Sequence, residues 1–258
     1  MYDTRQRKIL IVPEHAQCFE MFISLDKMVG KSMIVDFVNY RGINIKNISK
    51  KDNEDMIDSM ANDVVAKIKS THYDLIVAYE LAYKIINLAM HKLLEDEETK
   101  EQKYKVLYWS PIKKSENTSK LDVLMYHAIK YSPNVVLDLY SKVLYQNNIH
   151  AQYIERAQIL KYTKKVLSGC NMDTVLNAHR QVWKSSHEDC ITIPGNVLIH
   201  AIVTSDEEHD RSKDEDFWDK YLSHNQRNIK KYLHTGIYTS IEYPVSVVNI
   251  IDDVVTWI

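Results

Sequence analysis

Tyr73-Asp74-Leu75-Ile76-Val77-Ala78-Tyr79-Glu80 is the stretch on which the fold turns. Its unbroken apolar run is bounded by polar residues and is too short for a buried helix, so it reads as a strand covered on both faces. The period then changes. Residues 81–94 carry helical spacing, and Tyr104 to Trp109 returns to a compact strand pattern. Strand, helix and strand at this pacing imply a parallel sheet with helices on its faces.

Working outward, residues 8–12 read as a strand, 16–29 as a helix, 43–48 as a half-buried strand and 53–69 as a helix. Residues 32–40 fit a buried strand and a helix equally well. These elements predict an α/β protein with a Rossmann-like parallel sheet over residues 1–113. The texture changes after Pro111. Residues 121–130, 135–146, 154–167 and 174–185 all have helical spacing, separated by short polar breaks. Residues 191–193 and 197–203 read as a strand pair or hairpin around Pro194-Gly195-Asn196. Residues 214–234 are polar and predicted helical, and 245–251 read as a buried closing strand. Residues 114–258 are therefore expected to form a mainly helical region with C-terminal strands, continuous with the first region or separate from it.

Composition narrows the function classes. With 258 residues, 45% hydrophobic and 26% charged, the chain has the make-up of a soluble globular protein. Five glycines are too few for long Gly-rich phosphate loops. A formal net charge of −2 gives no support to nucleic-acid binding through bulk charge, which leaves only a local basic patch. Arg156, Lys161, Lys164, Lys165, Arg180 and Lys184, interleaved with Tyr153 and Tyr162, are the candidate patch. Seventeen tyrosines against four phenylalanines point to partly wet aromatic contacts and a surface for a protein partner. Cys18, Cys170 and Cys190 lack CxxC spacing, so a reducing, cytoplasmic compartment is expected and thiolate-held zinc is disfavoured. Apolar runs fall well short of a membrane span.

The densest chemistry follows residues 197–203, in Ser205-Asp206-Glu207-Glu208-His209-Asp210-Arg211-Ser212-Lys213-Asp214-Glu215-Asp216. Imidazole and carboxylate together suit a divalent cation, which orients phosphate and acidifies bound water. Val175-Leu176-Asn177-Ala178-His179-Arg180, then His209-Asp210-Arg211-Ser212-Lys213, then His224-Asn225-Gln226-Arg227-Asn228 resemble the HD-domain-related phosphohydrolases over about residues 175–228. The resemblance implies a metal-dependent phosphohydrolase acting on a nucleotide or related phosphoester. His179, His209 and Asp210 would hold Mn²⁺ or Mg²⁺, with His209 and Asp210 catalytic and Lys213 neutralising phosphate. No downstream metal-ligating Asp is evident, because Asp252 and Asp253 fall in the predicted closing strand. The competing reading of the same residues is a solvated acidic loop that caps the next helix.

A second candidate is residues 110–120, between a predicted parallel strand and a helix, where Lys113, Lys114 and Ser115 would bind a phosphorylated substrate. Strand exits supply a third. If the first and third strands share a parallel sheet, Glu14, His15, Glu80 and the Lys113 loop converge on one edge, bringing acid, base and cation together. Polar residues at strand exits are common, so convergence alone assigns no role. Residues 247–256 resemble the ribose-binding strand of phosphoribosyltransferases but lack the phosphate loop that must follow it. There is no G-x-S-x-G elbow, no H-E-x-x-H and no EF-hand. The alternatives to a hydrolase are a non-catalytic protein- or nucleic-acid-binding module and, third, a nucleotide- or sugar-nucleotide-using transferase.

Overall fold

The computed structural model describes residues 6–14, 17, 22, 33–43, 54–109, 124, 127–128, 131, 161, 172–184, 197–205, 228–233 and 244–256. In chain order the elements are β1 (Arg7–Val12), β2 (Met33–Phe37), α1 (Met56–Ser70), β3 (Leu75–Tyr79), α2 (Ala82–Glu95), β4 (Tyr104–Trp109), α3 (Met172–Lys184), β5 (Val197–Ser205), β6 (Asn228–Leu233) and α4 (Pro244–Thr256).

Among the described residues the six strands lie in one parallel sheet of order β2-β1-β3-β4-β5-β6. The chain steps from β1 outward to β2, then crosses back to place β3 on the other flank of β1. Between β1 and β3 lies the switch point, where open α/β sheets form a crevice beyond the carboxyl ends of their strands. The α/β class with a parallel sheet expected from residues 73–109 is therefore present, and β5 and β6 extend the same sheet.

β3 is buried along its whole length, as its unbroken apolar sequence requires. Alternation divides it between two cores. Ile76 and Ala78 join Met60, Val64, Ile86, Met90 and Val175 on the face covered by α1, α2 and α3. Leu75, Val77 and Tyr79 join Ile9, Ile11, Leu107, Val247 and Ile251 on the face covered by α4. Each fully buried aliphatic side chain contributes roughly 1.5–3 kcal/mol relative to exposure, so this strand anchors both layers. α1 begins at Asp55, whose side chain accepts from the Asp58 N–H, and carries Lys67 and Lys69 in its last turn, where cations suit the helix dipole.

Two sequence expectations are corrected here. Residues 245–251 belong to a helix, because Val247, Ile250, Ile251 and Val254 are buried at three- and four-residue spacing while Asn249, Asp252 and Asp253 face water. A contiguous apolar run hid that period. Asn228–Leu233, inside the stretch expected to be helical, is the edge strand β6, held by parallel pairing to β5. Residues 197–203 pair in parallel with β4 from Tyr104↔Val197 to Trp109↔Ile202, while 191–193 and the expected turn at 194–196 lie outside the described residues. The expected elements at 16–29, 43–48, 135–146 and 154–167 fall almost wholly outside the described residues.

Candidate functional site

β3 passes into α2 through a turn centred on Glu80, whose φ is 47°. Among the described residues it is the non-glycine residue with positive φ; Gly42 has φ 79°. A side chain in this left-handed region costs roughly 1–2 kcal/mol, so the surroundings must fix it. They do so through backbone and size. The Glu80 N–H donates to the Trp109 carbonyl at 2.9 Å, continuing the Tyr79↔Trp109 register beyond the strand end. Ala78 and Ala82 flank the turn, both fully buried, and bring no bulk that would open it.

The Glu80 residue is only 5% exposed. It precedes the N-terminus of α2, whose N-cap residue Leu81 supplies no side-chain cap and whose first turn holds no acid. A carboxylate beside that positive helix end is electrostatically favoured.

On the β4 side, the Tyr79 ring stacks on Trp109 with centroids 5.8 Å apart and planes 24° apart, and Phe22 meets Tyr79 edge-on at 4.8 Å. The indole Nε1 of Trp109 is buried and meets no hydrogen-bond acceptor among the described residues. On the opposite face of the sheet Tyr83 packs against Tyr108, whose hydroxyl donates to Asn87 Oδ1.

The exit of β1 is knitted to itself. The Glu14 N–H donates to Gln17 Oε1 at 3.0 Å, and the Gln17 N–H returns to the Glu14 carbonyl at 3.0 Å. Tyr40 donates its hydroxyl to the Pro13 carbonyl at 2.8 Å. Burial, reinforced by the charges of Asp63 and Glu14, holds its pKa well above the usual tyrosine range. Next to it, Arg41 uses its backbone N–H and Nε to grip both oxygens of Asp63, at 2.9 and 2.6 Å.

Of the residues expected to converge, Glu14 and Glu80 do lie at the carboxyl ends of the adjacent strands β1 and β3. His15, Lys113, Lys114, Ser115, His209, Asp210 and Lys213 lie outside the described residues. His179 is on α3 and is 3% exposed; burial, and then the neighbouring Arg180 charge, push its pKa down to about 4. Arg180 Nη2 lies 2.9 Å from His127 Nε2. Asp252 is on α4 and pairs with Arg7 at 2.7 Å. Among the described residues no three His, Cys, Asp or Glu side chains gather as a metal-binding group.

No protein-family model matches the chain, and no curated protein matches it in sequence. Solved structures do match. An esterase from Thermogutta terrifontis with malate bound aligns over 96% of this chain and 88% of its own, with a TM-score of 0.66 and 9% identity. The enol-lactonase of Burkholderia xenovorans LB400 covers 98% of this chain and 92% of its own, with a TM-score of 0.70 and 11% identity. A 1H-3-hydroxy-4-oxoquinoline 2,4-dioxygenase covers 97% and 92%, with a TM-score of 0.70 and 13% identity.

These likenesses overturn the expected relation to HD-domain phosphohydrolases, and with it the metal-dependent phosphohydrolase, its Mn²⁺ or Mg²⁺ cofactor and the nucleotide-binding assignment. Of the segments behind that resemblance, residues 209–213 and 224–227 lie outside the described residues. Residues 175–180 are part of α3 packed on α1, whereas Asn228 opens an edge strand.

In the fold of the matching structures, the turn from a central strand into a helix is where a serine nucleophile is displayed, in G-x-S-x-G, with a strained backbone and small flanking residues. Ala78-Tyr79-Glu80-Leu81-Ala82 has that build, with alanine for both glycines and glutamate for serine. Motif reading missed it because every defining residue is changed; small-x-acid-x-small after a buried strand was the surviving signal. The chain has the α/β-hydrolase fold, and Glu80, at positive φ, stands at the turn from β3 into α2.

Proposed function

We propose that this protein is an α/β-hydrolase-fold enzyme acting on small organic carbonyl compounds, with Glu80 as a general base in the place of a serine nucleophile. The observation that carries the reading is Glu80 itself: a buried carboxylate held at φ 47° at the carboxyl end of a central strand. Strain of this kind is retained where the surroundings enforce it, and such positions concentrate at functional sites. The substrate class follows from the structural neighbours, described as an esterase, an enol-lactonase and an enzyme of a hydroxy-oxoquinoline.

Base chemistry suits a carboxylate better than acyl transfer does. Attack by Glu80 on an ester carbonyl would yield a mixed anhydride, more reactive than the ester it came from. Taking a proton from a water or from an acidic substrate hydroxyl leaves Glu80 as a neutral acid and the oxygen as the nucleophile or oxyanion, ready for return of the proton.

The test uses three probes: 4-nitrophenyl acetate, dihydrocoumarin and 1H-3-hydroxy-4-oxoquinoline. Wild type is expected to turn over one of them or, for the quinoline, to bind it as the anion with a red-shifted absorbance. Glu80→Gln retains the fold and loses this by at least about 100-fold. A fluorophosphonate probe is expected to leave wild type unlabelled. Equal activity of Glu80→Gln, or serine labelling that abolishes activity, overturns the proposal, as does failure of wild type on all three probes.

A further inference from the structure

We infer that the Trp109 indole N–H is a recognition donor of the elbow site, donating to the carbonyl oxygen of the molecule on which Glu80 acts. This rests on the proposed function and adds the group that selects the substrate.

Indole nitrogen is a donor only, and buried tryptophans ordinarily find an acceptor for it. Trp109 is 1% exposed, yet its Nε1 has no acceptor among the described residues. Such a group in a folded protein calls for a reason, and an absent ligand or water is one. Its position supplies the reason. Trp109 is the last residue of β4, level in register with Tyr79, the residue before Glu80. Its own carbonyl accepts the Glu80 N–H, so the two residues are fixed to each other through one backbone bond of 2.9 Å. Stacking on Tyr79, itself braced by Phe22, removes the ring's freedom to swing away. A donor held on the strand that is bonded to the Glu80 turn is one half of an arrangement that reads a donor–acceptor pair on a ligand.

The substrate class is a molecule with an acidic hydroxyl next to a carbonyl: the hydroxyl faces Glu80 and the carbonyl oxygen accepts from Trp109.

The experiment titrates ¹⁵N-tryptophan-labelled full-length protein with 1H-3-hydroxy-4-oxoquinoline and, separately, with 3-hydroxyquinoline, which lacks the oxo group. The Trp109 indole signal is the one of four missing in Trp109→Phe. It is expected to move downfield with the oxoquinoline and to stay in place with 3-hydroxyquinoline. Trp109→Phe keeps the ring stack and the melting temperature, binds the oxoquinoline at least tenfold more weakly, and binds 3-hydroxyquinoline as wild type does. If the oxoquinoline binds wild type but the indole signal stays, or Trp109→Phe binds it equally well, a buried water or an idle donor is the answer and the inference falls alone. If wild type does not bind the oxoquinoline, the hydroxy-carbonyl class falls, while activity on the ester or lactone probe would leave Glu80 as base.

Discussion

The Glu80 N–H, one residue beyond the last paired position of β3, donates at 2.9 Å to the carbonyl of Trp109, the last paired residue of β4. That bond holds a glutamate in a backbone conformation that glutamate disfavours, and it makes the turn a rigid extension of the sheet. Strain there is separable from stability elsewhere.

Glu80→Gly removes both the left-handed penalty and a buried carboxylate. Glycine adopts φ 47° without cost, so the variant is expected to be more stable than wild type by about 1 kcal/mol in urea denaturation while losing the proton-transfer activity. A less stable Glu80→Gly would mean that the carboxylate is structural and not strained for function.

Asp63 is 13% exposed at its side chain and receives two hydrogen bonds from Arg41. Asp63→Ala should cost about 2 kcal/mol, because the half-buried Arg41 N–H loses a charged acceptor. Asp63→Asn, which keeps one acceptor oxygen, should cost less. Equal losses in the two variants would show that charge, not hydrogen-bond count, fixes this corner.

Asn249 tests the nature of the last segment. Lying on the exposed face of α4, it should tolerate Ala with a gain of a few tenths of a kcal/mol, whereas Pro should cost about 3 kcal/mol. In a strand the order of effects would differ, since Ala is a poor strand former. A neutral Asn249→Pro would contradict the helix.

His179 gives a pH dependence with a definite sign. Its folded pKa, near 4, lies below the unfolded value of 6.5, so the unfolded chain binds more protons between those limits. Stability should be fully present above pH 6.5 and fall as the pH drops toward 4, by at most about 3 kcal/mol. His179→Gln, with no proton to gain, should flatten the difference between pH 7 and pH 5 in denaturant titrations. An unchanged slope would place the acid sensitivity elsewhere.

Residues 73–109 declared their structure because burial leaves a composition signal. β3 is covered on both faces, hence continuously apolar, and the helix after it shifts to a 3.6 period. α1 and α3 were legible for the same reason. The last helix was not, since Val247-Val248 and Ile250-Ile251 satisfy a buried strand and a helix face alike, and only docking against Ile9, Ile11 and Leu107 selects one. β6 was illegible because Asn228-Ile229-Lys230-Lys231-Tyr232-Leu233 is polar, and its strand character comes from backbone pairing with β5.

By itself, then, the sequence determined the class, a parallel α/β sheet, through the periods of its buried elements, and it placed Glu14 and Glu80 at strand exits. Tertiary structure decided what Glu80 is. A left-handed φ is enforced by the Trp109 carbonyl across the sheet and by two alanines that permit the turn, and no local pattern encodes a partner 29 residues away. It also set aside the metal cofactor, since the whole chain matches α/β-hydrolase-fold structures and no three His, Cys, Asp or Glu side chains gather among the described residues. Local spacing records which side chains are buried; which of them meet depends on strand order, and that is fixed only when the whole sheet forms.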